Sequence, residues 1–133
     1  MLQSNLMEPP EEQKLIDECA RRLRGKGYCV DLGLEVVRGK SQYGRTDVIA
    51  KKGNVICAIE CKYINRTNAT KKRKKVKDQA IIYASILKWK YPDQEVRAYV
   101  YTNEGLTYLG TLNKDEADRT AKEYFNHVGL RFH

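Results

Sequence analysis

Residues 43–63, YGRTDVIAKKGNVICAIECKY, leave the chain little freedom. Arg45 to Lys51 is rich in β-branched and apolar residues, Lys52-Gly53-Asn54 has turn chemistry, and Val55 to Lys62 is apolar again. That pattern predicts two short strands closed by a tight turn. Three charges interrupt strands that otherwise read as buried: Asp47, Glu60 and Lys62. Buried charges are costly unless they are paired or hold a metal. Side chains alternate along a strand, so Glu60 and Lys62 share one face, with Ile59 and Cys61 on the other. Asp47 shares a face with Ile49, opposite Val48 and Ala50. Pairing through the turn brings Asp47 beside Glu60, which places two carboxylates and an ammonium on one side of a small sheet. Such hard oxygen donors suit Mg²⁺ or Mn²⁺.

An aspartate, a hydrophobic hairpin and then Glu-x-Lys, here Asp47…Glu60-Cys61-Lys62, resembles the PD-(D/E)xK nuclease signature. Thr46 stands where the motif's name has proline. The resemblance implies a restriction-endonuclease-like α/β fold: an αβββαβ core with a mixed central sheet flanked by helices. It also implies Mg²⁺-dependent hydrolysis of DNA, with Mn²⁺ able to substitute. Asp47 and Glu60 would be metal ligands, joined by the backbone carbonyl of Cys61. Lys62 would orient the attacking water or neutralise the transition state, a role in which it acts as a cation rather than a general base.

The third acid has two candidates. Pro9-Pro10 and Glu11-Glu12 form a helix start, and the helix is expected to run to about Arg24, ending at Gly25-Lys26-Gly27. Its apolar stripe is Leu15, Ile16, Cys19, Ala20 and Leu23, and Glu12 falls on the side of Ile16, Cys19 and Leu23. Glu12-Gln13-Lys14-Leu15-Ile16 is similar to the Glu-x-x-Leu-Ile pattern of archaeal Holliday-junction resolvases, where the glutamate completes the metal site. Glu12 equally serves as a first-turn acid that complements the helix dipole. Glu35, on a strand expected over Tyr28 to Val37, is the alternate helper. Arg38, Lys40, Tyr43 and Arg45, in and around the following loop, are candidate phosphate contacts.

Past the hairpin, Lys71-Lys72-Arg73-Lys74-Lys75-Val76-Lys77 holds six basic residues in seven. These residues read as a phosphate clamp, although such a run also fits a solvated helix start or a nuclear-localisation pattern. Lysines are electrostatically poor at a helix N-terminus, so a purely structural role explains them badly. The helix they begin is expected to end before Pro92, with a stripe of Gln79, Ile82, Tyr83, Ile86 and Leu87. Gln79-x-x-x-Tyr83 puts both polar groups on one helix face. It resembles the extra motif of RecB-type, lambda-exonuclease and NucS nucleases, which implies that Gln79 fixes the water or the scissile phosphate with Tyr83 in support. Glu95 to Tyr101 and Leu106 to Leu112 then read as a hairpin around Asn103-Glu104-Gly105, and Lys114 to Asn126 as a last helix. This C-terminal addition has no function legible in the sequence.

The formal net charge of +8 over 133 residues, with 32% charged and 41% hydrophobic residues, describes one globular domain with a polyanionic partner, most simply nucleic acid. Residues 1–10 read as a flexible tail and 11–133 as a single nuclease domain. No apolar run reaches membrane-span length and no signal-peptide core is present, so an intracellular, reducing compartment (cytoplasm or nucleoid, or a nucleus) is expected. The four cysteines lack CxxC spacing and read as small buried hydrophobes, which argues against zinc. Two readings stand. One is a metal-dependent deoxyribonuclease, with Holliday junctions cut by a twofold homodimer as one candidate substrate. The other is a non-catalytic nucleic-acid-binding module with the same fold.

Overall fold

A two-residue loop, Gly53-Asn54, joins the two strands of the hairpin, with Lys52 opposite Val55. Gly53 sits at φ +60°, a left-handed backbone that glycine adopts without steric cost, as the first position of such a loop requires. The computed structural model describes residues 10–38 and 43–127, and the side chains of residues 34–38 and 43–45 lie outside that description. In chain order the elements are α1 (Pro10–Gly25), β1 (Cys29–Arg38), β2 (Tyr43–Lys52), β3 (Val55–Lys62), α2 (Ala69–Lys90), β4 (Glu95–Thr102), β5 (Gly105–Thr111) and α3 (Lys114–His127).

The protein is an α/β structure with one five-stranded mixed sheet in the order β1-β2-β3-β4-β5. All neighbours are antiparallel except β3 and β4, which run parallel and are bridged by α2. Parallel neighbours need such a crossover, and their strands are covered on both faces. Accordingly, residues 56–61 of β3 are all buried. Helix α1 covers one face, where Ile16 and Cys19 pack with Val48, Ala50, Cys57, Ile59 and Cys61. Helix α2 covers the other, over Ile49, Ile56, Ala58, Val96 and Ala98.

Helix α2 differs from the single-striped helix expected. Val76, Ala80, Ala84 and Leu87 recur at helical spacing on one side and are all buried, and Val76 and Ala80 pack against Val100 of β4. Ser85 and Ile86, on another side, are buried as well, and Ile86 joins a core shared with Ala121 and Phe125 of α3. Trp89 meets Phe125 edge-on at 5.1 Å. The C-terminal half of α2 is thus enclosed between the sheet and α3. A helix covered on two sides carries apolar residues nearly all round, which blurs its stripe.

One expectation about the cysteines is corrected. Cys19, Cys57 and Cys61 are buried, but Cys29 is exposed. It lies on the outermost strand, where alternation turns it with exposed Asp31 to the face opposite Val30. Among the described residues no helix is long and apolar enough to cross a membrane.

Candidate active site

The pairing of β2 with β3 runs from Lys52↔Val55 to Val48↔Ile59 and stops one step before Asp47 would face Glu60. From there side-chain bonds take over. The Cys61 amide donates to Asp47 Oδ2 at 2.8 Å, and the Asp47 amide donates to Glu60 Oε2 at 3.4 Å. Each carboxylate therefore caps the backbone of the other strand just where the ladder ends. Both acids lie on the face that α2 covers, as the two-residue period requires.

They border a cleft of about 530 Å³, lined also by Glu12, Lys62, Gln79 and Tyr83. Glu12 arrives from the first turn of α1, and its side chain is only 7% exposed. Its Oε1 pairs with Lys62 Nζ at 3.0 Å and accepts the Tyr63 amide at 3.4 Å, so it ties α1 to the end of β3. Burial pushes the Asp47 carboxyl up to about 6, against the pull of the Cys61 amide; the charge of Glu12 adds to the rise and Lys62 opposes it. Among the described residues no cluster of three or more His, Cys, Asp or Glu side chains has metal-holding geometry. The donor set of the cleft is instead two carboxylates, with a third acid already held by an ammonium.

Gln79 and Tyr83 face the cleft from α2, in line with Lys72 and Val76 at helical spacing. Burial, together with Tyr124 and the negative charges of Glu60 and Asp47, pushes the Tyr83 hydroxyl up to about 12. Tyr83 stays protonated and can donate a hydrogen bond. The Tyr124 ring of α3 supports it edge-on at 6.4 Å. Cys61 borders the cleft through its backbone, while its thiol belongs to the core on the α1 side. There the adjacent Cys19 thiol and burial raise its pKa, which makes it a poor nucleophile.

The basic run is divided in use. Arg73 makes a two-pronged bond to Glu104 in the β4–β5 turn, at 2.9 and 2.6 Å. Lys74 pairs with Asp78 one helical turn on, and Lys72 donates to Asn65 Oδ1 at 3.0 Å. Lys71, Lys75 and Lys77 are exposed and make no ion pair among the described residues. The helix N-terminus has no acid in its first turn, and Asn68 provides no side-chain cap. Of the remaining candidates, Glu35 and Arg45 face each other in the β1–β2 ladder, and Tyr43 pairs with Arg38. The side chains of Glu35, Arg38, Tyr43 and Arg45, and all of Lys40, lie outside the described residues.

The roles of three residues that brace elements of the site from outside the cleft were not legible in the sequence. Asn103 clamps the backbone of Ile64, accepting its amide at 2.7 Å and donating to its carbonyl at 2.9 Å. That clamp adds a side-chain rung beyond the last β3–β4 pair, Lys62↔Thr102. Glu104 holds Arg73, and Tyr124 backs Tyr83. The only local signal for the first two was their place in a turn, which is ordinarily read as loop chemistry. Thr46, beside Asp47, is fully buried, and its Oγ1 has no hydrogen-bond partner among the described residues. No family model matches the chain, and no curated protein matches it significantly in sequence.

Proposed function

We propose that the protein is a Mg²⁺-dependent phosphodiesterase of the PD-(D/E)xK type that cleaves DNA. The observation that carries this reading is the meeting of Asp47 and Glu60 at the end of the β2–β3 ladder, in one cleft with Lys62. Burial, with the charge of Glu12 adding to it, disfavours the Asp47 carboxylate in the metal-free protein, and a divalent cation would offset that cost. Two carboxylates plus waters fit Mg²⁺ or Mn²⁺, which rarely use an all-protein cage. Asp47 and Glu60 would hold the ion, and Glu12, locked to Lys62, would act around it. When bound, the ion supplies Lewis-acid stabilisation of phosphate charge and a lowered pKa for a coordinated water.

The protein's own groups do the rest. Lys62, held at 3.0 Å from Glu12 with its side chain 40% exposed, brings a positioned ammonium to the charge that builds on the phosphate oxygens. Gln79 offers both a donor and an acceptor to orient water against the scissile phosphate. Tyr83 donates a hydrogen bond from the same helix face. Lys71, Lys75 and Lys77 meet flanking phosphates, on a chain with a net charge of +8.

Plasmid and four-way-junction DNA incubated with Mg²⁺, Mn²⁺ or EDTA test this. Metal-dependent nicking that disappears in Asp47→Ala is the expected result. Binding that persists in EDTA with no product under any metal, or an Asp47→Ala variant that cuts as well as the parent, overturns the reading in favour of a binding module.

A further inference from the structure

Helix α1 serves two cavities. Its first turn brings Glu12 to the cleft, and its last turns, about 15 Å further along the axis, wall a second cavity of about 180 Å³. No residue lines both. The second cavity lies on the α1 side of the sheet, with Cys57, Ile59 and Tyr101, opposite the face that carries Asp47 and Glu60. Leu23, Tyr28, Tyr99, Tyr101 and Leu106 form its walls. The Tyr108 ring, 5.3 Å from that of Tyr99, extends the aromatic surface outwards.

Cations gather at this aromatic cavity. Arg22 and Lys26 line it and are exposed. Arg22 Nη1 donates to the Tyr101 hydroxyl at 3.0 Å, and that hydroxyl donates in turn to Glu18, so the guanidinium is held in place. Lys52 donates to the Lys26 carbonyl at 2.9 Å and stands 5.4 Å from the centre of the Tyr28 ring. Neither Lys26 nor Lys52 makes an ion pair among the described residues. Basic residues at the end of α1 complement its dipole. That does not explain Lys52, which comes to the same place from the end of β2.

We propose that this cavity binds a single nucleotide unit, with the base against Tyr28 and Tyr99 and the phosphate on Arg22, Lys26 and Lys52. Aromatic walls favour a planar ring, since every base has a π-face to stack. The volume lies below the roughly 300 Å³ at which sites for larger ligands begin, so one ring system enters and the sugar and phosphate stay at the mouth. Three cations there, with Glu18 the one acid bonded to the group among the described residues, favour an anionic tail. The unit has two sources with the same chemistry: a free mononucleotide, or an unpaired nucleotide of a single strand. The site is separate from the cleft, so it stands whether or not the protein cuts DNA.

Titration of the full chain in EDTA with dTMP, thymidine, inorganic phosphate and oligo-dT, followed by proton–nitrogen correlation spectra, tests this. The amides of Lys26, Tyr28 and Leu106 should shift together with dTMP and saturate with a dissociation constant below about 1 mM. Thymidine and phosphate alone should each bind more weakly than dTMP. Lys26→Glu, at an exposed position, should weaken dTMP by about fivefold or more, and Tyr99→Leu, which keeps apolar bulk but removes the ring, by a similar factor. Oligo-dT that displaces dTMP and binds more tightly makes a strand the source; dTMP that binds more tightly than oligo-dT makes it the free nucleotide. No shift at these amides, shifts confined to the surroundings of Asp47 and Gln79, phosphate alone binding as well as dTMP, or parent-like affinity in both variants overturns the proposal.

Discussion

Asp47 and Glu60 are bound to each other's strand: the Glu60 carboxylate accepts the Asp47 amide, and the Asp47 carboxylate accepts the amide of Cys61, the residue after Glu60. The two acids thus replace the ladder bonds that the separating strands no longer make. Their position is set by these bonds to the backbone, so it should tolerate the loss of either charge better than the loss of either side chain.

This gives a stability prediction with a definite sign. The Asp47 pKa rises from 3.8 to about 6 on folding, so between those values the native state holds more protons than the unfolded chain. Metal-free stability therefore falls as pH rises through that window, by about 3 kcal/mol at most for a shift of this size. Asp47→Asn keeps an oxygen for the Cys61 amide and should unfold at higher urea concentration than the parent at pH 8 in EDTA, with little difference at pH 4. Mg²⁺ should narrow the gap by stabilising only the parent. An Asp47→Asn protein that is weaker than the parent in EDTA at pH 8 would contradict this account.

Glu12 and Lys62 should be coupled. Removing the ammonium leaves a buried carboxylate without this partner, a loss tempered by the partial exposure of Lys62. Lys62→Met should cost about 1–2 kcal/mol in metal-free protein, and adding Glu12→Gln should recover most of it. A double-mutant cycle by urea unfolding measures the coupling, and additive effects would show that the 3.0 Å pairing carries no energy.

The basic run should divide by partner. Replacing Lys71, Lys75 and Lys77 with alanine should lower the slope of log affinity against log salt by about one for each phosphate that is no longer neutralised. Lys74→Ala, at the residue paired with Asp78, should change it less. Arg73→Ala should instead raise amide exchange across the β4–β5 turn, since its guanidinium holds Glu104. Equal slopes for all variants would return the run to a solvated helix face.

Asn103 should matter for stability although it sits in an exposed turn. Asn103→Ala leaves the buried Ile64 backbone without its side-chain rung, at a cost of about 1–3 kcal/mol. Hydrogen exchange should quicken at Ile64 and the segment leading into α2, well before the α1 side of the sheet responds. Unchanged exchange there would mean the clamp is idle.

Local chemistry made the hairpin legible. Gly53 in a tight turn and a strict two-residue alternation place Asp47, Glu60 and Lys62 on one face, and both signals lie within a few residues of their effect. The five strands and three described helices follow from similar short-range patterns, with ends that differ by a few residues. What needed the tertiary structure is what joins distant segments. Glu12 reaches the amide of Tyr63 across 51 positions and Asn103 reaches Ile64 across 39, and no spacing rule connects such residues before the chain packs. The same holds for the second covered side of α2, for the lysine-run cations already spoken for, and for β1 and β5 as the two strands left at the edges. Periodicity reports which way a side chain points; only the docking of one element on another decides what it meets there.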